Sequence, residues 1–181
     1  MNKHETRNAQ DLKPETCNMK LSEHFSLLEF TKSSTAVKHG IQNNPPQEAV
    51  ENLKRLCQGT LEPLREELGL PVVITSGFLT KALNDILAHA SERSQHMLGQ
   101  AADFYVVPGQ SGLSRRELLI KAFRLIILDE SIDYDQLILY PSFIHVSYVS
   151  RERNRRSILL GMRNGKLGYG KCSVQNALKI Q

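Results

Sequence analysis

An α+β fold, with helices packed on a mostly antiparallel sheet, follows from three observations on this 181-residue chain. Helical apolar periods come early, over residues 45–68, whereas short β-rich runs concentrate after residue 100. Regular strand–helix alternation is scarce, which argues against a parallel sheet wound through βαβ units. Hairpin-sized connections, Pro141-Ser142 and Asn164-Gly165, separate the late strands.

The elements follow in order. Residues 1–20 are polar, lack an apolar stretch and read as a disordered tail rather than a secretory signal. Ser26-Leu-Leu-Glu29 resembles a capping box that opens a short helix. Asn44-Pro45-Pro46 is a helix start, with a capping Asn and prolines where backbone donors are unpaired anyway. Val50, Leu53, Leu56, Cys57, Leu61, Leu64 and Leu68 then recur at helical spacing, with Pro63 predicted to kink or split the helix near Thr60 and Gly69 to end it. Strands are expected at 71–77, 101–107, 136–140, 143–149, 157–162 and 166–169. Helices are expected at 81–90 and, after the capping box Ser114–Glu117, through Ile127. One domain over 21–170, followed by a short tail at 171–181, suits the length.

Composition narrows the function classes. No run reaches the roughly 18 apolar residues of a membrane helix. Cys17, Cys57 and Cys172 are too scattered for a zinc knuckle or redox motif, and Cys57 lies on an apolar helix face. His24 and His39 read as isolated surface or capping groups. Residues 151–181 hold eight Lys and Arg against the single Glu152, a polyanion signal in principle. No aromatic residue interleaves the run Arg151-Glu-Arg-Asn-Arg-Arg156, so a solvated face or turn is the preferred reading and nucleic acid is disfavoured. Nothing in the sequence assigns an oligomeric state.

Three residues carry chemistry. His96 lies in a polar loop, Gly99 permits a turn, and Asp103 falls in the strand that follows. On the strand at 143–149, His145 shares a face with Phe143 and Ser147, opposite the row Ile144, Val146 and Tyr148. Two imidazoles and a carboxylate are standard zinc ligands, and three protein ligands leave a fourth position open, as in catalytic zinc. Spacing alone favours coincidence or structural pairing over a metal site.

The surrounding residues change that balance. Ser94-Gln-His-Met-Leu-Gly-Gln-Ala-Ala-Asp103 and Ile144-His-Val-Ser-Tyr148 resemble the signatures of zinc D-alanyl-D-alanine carboxypeptidases and related peptidoglycan peptidases of the hedgehog/DD-peptidase fold. Leu28-Glu-Phe-Thr-Lys-Ser33, Asn44-Pro-Pro46, Leu61-Glu-Pro-Leu-Arg65, Ile74-Thr-Ser-Gly-Phe78 and Asp135-Gln-Leu-Ile138 extend the resemblance over about residues 21–160. It implies His96, Asp103 and His145 as ligands of Zn2+, a peptidoglycan peptide as partner, and Ser94 in the substrate cleft.

Two departures accompany it. The family's substrate arginine, after Ser-Gly-Phe, is replaced by Leu79, and loss of a charge-stabilising donor costs a few kcal/mol of transition-state binding. The family's general-base carboxylate has no counterpart between Leu139 and Ile144; Tyr140 and Ser142 stand there instead as candidate substrate-contacting groups. Asp135 is the nearest candidate base, although its motif suggests a structural role, and Glu92 is a more distant one. The expected function is a zinc-dependent peptidase cutting a D-amino-acid bond of peptidoglycan. The alternative is a catalytically impaired, zinc-stabilised module that binds wall peptide or a protein partner. As written the chain reads as cytoplasmic, with release as its route to the wall.

Overall fold

The computed structural model describes residues 19–87, 91–163 and 166–180. The polar tail expected over 1–20, with Cys17, therefore lies almost wholly outside the described residues, as does the Asn164-Gly165 turn.

The helical half comes first. Helix α1 (Leu27–Thr31) opens with the expected box, Glu29 Oε1 accepting the Ser26 N–H at 2.8 Å, and α2 (Ser34–Lys38) follows. Helix α3 (Gln47–Leu56) starts after Pro46, which takes the N-cap position expected for Asn44. Its apolar stripe, including Leu53 and Leu56, is fully buried. The helix then widens into a π turn (Cys57–Leu61) before α4 (Glu62–Leu68). Pro63 explains the widening: it has no N–H for the carbonyl of Gly59 four residues back. That carbonyl instead accepts the Asp133 N–H at 3.0 Å, so the break in the helix anchors a loop of the site described below. Gly69 ends α4 with φ 60°.

Strand β1 (Val72–Ser76), helix α5 (Lys81–Ile86) and strand β2 (Ala101–Val106) come next. Helix α5 is shorter than expected, and residues 88–90 lie outside the described ones. Helix α6 (Arg115–Leu128) carries the expected capping box, with Ser114 Oγ accepting the Glu117 N–H at 3.3 Å. Strands β3 (Gln136–Leu139), β4 (Ile144–Ser147), β5 (Ser157–Arg163) and β6 (Lys166–Lys171) and helix α7 (Val174–Ala177) complete the chain. Residues 171–180, set apart by sequence as a tail, pack: Ala177 is fully buried, and Arg124 Nη2 on α6 donates to the Leu178 and Ile180 carbonyls.

The fold is α+β, but the six-stranded sheet is mixed rather than mostly antiparallel. Its order is β1-β2-β4-β3-β5-β6, and β3 pairs with β5 in parallel. The reason is geometric. After the β3–β4 hairpin the chain crosses over the end of β3 through residues 148–156, and β5 lands on the far side of β3 running the same way. Expectation missed this crossover because the segment carries no helical period.

Alternation sorts the sheet into two faces. Ala102, Phe104, Val106, Leu137, Leu139, Ile144 and Val146 point into the core, covered by α6, against which α4 packs. Their neighbours along each strand line a cleft on the other face.

Candidate metal centre

Register places the cleft floor. Across β1, β2, β4, β3 and β5, the residues Ser76, Asp103, His145, Ile138 and Leu159 stand directly opposite one another in one row. All five line a cleft of about 940 Å3. Asp103 and His145 are thus cross-strand partners, with Asp103 Oδ1 2.8 Å from His145 Nδ1.

His96 arrives from a 3-10 turn (Gln95–Leu98) that packs against α3. Gly99 closes the turn at φ 67°, and a Cβ there would lie 2.3 Å from the Ala49 carbonyl oxygen, so only glycine fits. His96 Nδ1 lies 2.7 Å from the Gly77 carbonyl oxygen. A carbonyl only accepts, so Nδ1 carries the proton and Nε2 of the neutral ring presents its lone pair. That lone pair faces His145 Nδ1 at 3.2 Å and Asp103 Oδ1 at 3.4 Å.

One ligand atom from each of the three residues falls within 4.8 Å of the other two. The donor set fits a metal ion: two imidazole nitrogens and a carboxylate converge, and the carbonyl of Gly77 holds one imidazole in the tautomer a metal requires. The electrostatics agree. Burial works against ionised Asp103, yet the imidazoles of His96 and His145 beside it hold it well below the usual carboxylate range. Burial likewise disfavours protonated His96, but Asp103 overrides it and raises the imidazole above its ordinary value. Asp103 thus keeps its negative charge in spite of burial, as a carboxylate that is to meet a cation must.

The remaining residues divide. Ser94 and Tyr140 line the cleft; Ser142 is exposed and is not among the cleft-lining residues. Tyr140 stacks on Phe143 with ring centroids 4.3 Å apart. Glu92 is exposed and is not itself a lining residue, although its chain neighbours Ser91 and Arg93 are. Asp135 does line the cleft, but its carboxylate is saturated with donors. It accepts the Arg155 backbone N–H at 2.9 Å, Arg155 Nε at 2.8 Å, Arg155 Nη2, and Gln95 Nε2 at 2.9 Å. Burial would raise its pKa, yet the hydrogen bonds from Arg155 and Gln95 win and lower it. Leu79 is buried with Ala36 and Leu83 in a small second apolar cluster.

The arginines are what sequence reasoning missed. The run at 151–156 is not simply a solvated turn: Arg155 pairs with Asp135, and Arg156 Nη1 lies 3.1 Å from the buried Asp133. Arg93, Arg153 and Arg155 line the cleft. No spacing rule links Asp135 to an arginine twenty positions on. The only available hint was two carboxylates, Asp133 and Asp135, in an apolar stretch that would need cations.

No curated protein matches the chain. A family model described as Peptidase M15 matches residues 23–147, well over half of the chain. That span begins before α1, ends with β4 and contains the three convergent residues His96, Asp103 and His145, so the chain belongs to the Peptidase M15 family.

Proposed function

We propose that the chain is a zinc-dependent peptidase that hydrolyses a D-amino-acid peptide bond of peptidoglycan. The observation that carries this reading is the convergence of His96, Asp103 and His145 on the floor of an open cleft large enough for a peptide. His96 Nε2, His145 Nδ1 and an Asp103 oxygen would hold the ion. Zinc bound there supplies Lewis acidity, polarising a peptide carbonyl and acidifying water. The chain's own part is to bind and orient. The sheet register holds Asp103 against His145, Gly77 fixes the tautomer of His96, and Ser94 and Tyr140 line the cleft where a bound peptide would meet them. Peptidoglycan as the substrate rests on the resemblance of the two histidine signatures.

A second reading, a zinc-stabilised module that binds wall peptide without cutting it, is favoured by a specific observation. Among the described residues, the carboxylates lining the cleft are Asp103, turned to the imidazoles, and Asp135, held by Arg155. A general acid–base group contributes about 10²–10⁴ in rate, and Asp135 in that ion pair is a weak proton acceptor.

Mass spectrometry of purified muropeptides, after incubation with protein of confirmed zinc content, separates the two. Loss of a terminal D-alanine or a cut cross-link is the expected result. Unchanged muropeptides with zinc bound would sink the peptidase and favour the module.

A further inference from the structure

The cleft is electropositive for reasons beyond the metal ligands. Of the charged groups on its wall, Asp135 is cancelled by Arg155, whereas Arg93 and Arg153 have no carboxylate opposite them among the described residues. Arg155 is held rigidly. Its Nε and Nη2 grip Asp135, and Nη2 also donates to Gln95 Oε1 at 3.2 Å, one residue from the ligand His96. This arrangement leaves Nη1, on a side chain 58% exposed, with no hydrogen-bond partner among the described residues. The Arg153 side chain, two positions earlier on the same loop, makes no hydrogen bond or ion pair among them either. The neighbouring wall is apolar, with Leu87, Val149 and Leu159, which strengthens any charge-assisted bond formed there.

We propose that Arg155 and Arg153 form an anion subsite in this cleft that takes a carboxylate of a peptide ligand. Position 79 holds a buried leucine, and Arg153 and Arg155 reach the cleft from the loop between β4 and β5, beyond the residues that the family model matches. Asp135 and Gln95 are positioning residues. They fix the guanidinium plane so that Nη1 meets the ligand without losing side-chain freedom on binding. This explains why a carboxylate as buried as Asp135 sits in the cleft wall at all. The inference rests on the peptide-ligand reading above, but it concerns binding and does not require hydrolysis.

The test is calorimetric titration of the full chain, zinc-loaded and zinc-free, with N-acetyl-D-alanyl-D-alanine and with its C-terminal amide. The acid should bind about tenfold more tightly than the amide in both forms, the worth of a charge-assisted hydrogen bond. Arg153→Ala should bring the two ligands closer in affinity while leaving zinc affinity unchanged. The double variant Asp135→Asn/Arg155→Gln should do the same, and it removes the pair without stranding a buried charge. Three results overturn the proposal: equal binding of acid and amide, a preference that vanishes with zinc, or variants that weaken both ligands alike. Uncut muropeptides combined with an arginine-dependent preference would defeat the peptidase reading and leave the subsite standing.

Discussion

Two carboxylates line the same cleft and meet opposite fates. Asp103 faces two imidazoles whose nitrogens converge on one point, and among the described residues no Lys or Arg pairs with it. Asp135 faces Arg155, a cation that cannot be deprotonated, and is saturated by it. The first site is open to an ion that comes from solution, while the second is closed by the chain itself. The difference lies in the partner and its reach. Imidazoles on a strand and a short turn have lone pairs that a metal could take, whereas a long guanidinium from the β4–β5 crossover leaves nothing to share. A buried carboxylate near a metal centre is therefore not by that fact a base.

The largest effect should come from opening the first site. His145→Ala removes one of the three candidate metal donors and should lower zinc affinity by more than the roughly 10–100-fold that loss of a hydrogen-bond partner behind a ligand costs. Competition titration against a chromophoric chelator measures it. A smaller loss would mean that Asp103 and His96 are not joined by His145 in holding the ion.

Breaking the second site should cost stability rather than metal. Arg155→Ala strands the buried Asp135 and should destabilise the protein by about 2–3 kcal/mol, below the full cost for a buried pair because the guanidinium is more than half exposed. Urea denaturation reads this. Zinc affinity falling as much as in His145→Ala would show that the two carboxylate sites are one unit.

Gly99→Ala probes the support under His96. The positive φ and the clash with Ala49 should cost at least about 1 kcal/mol, with a weaker zinc site as the turn shifts. Thermal unfolding at saturating and at zero zinc separates the two contributions, and an unchanged difference between them would exclude the shift.

The smallest effect is in pH. Asp135 is lowered in the folded state, so its contribution is present above the unfolded carboxylate value of about 3.9 and is lost as pH falls through the folded value. The wild type should therefore lose stability below about pH 4 more steeply than Asp135→Asn/Arg155→Gln. Parallel acid-denaturation curves would show that the pair carries none of this dependence.

Much was legible in the sequence alone, because it depends on local rules. The capping boxes at Ser26 and Ser114, the apolar stripe of α3, the stop at Gly69 and the strand alternation around His145 are each set by neighbours within a few residues. The grouping of His96, Asp103 and His145 was legible through the resemblance of two short signatures, though their spacing was not informative. Tertiary structure decided what depends on distant partners. Register placed Asp103 opposite His145, and Pro63 freed a carbonyl that holds the Asp133 loop. The crossover through 148–156 made the sheet mixed and carried Arg155 to Asp135. Charge pairing between segments has no period along the chain, so neither the occupied state of Asp135 nor the cationic cleft wall could be read before the strands were assembled.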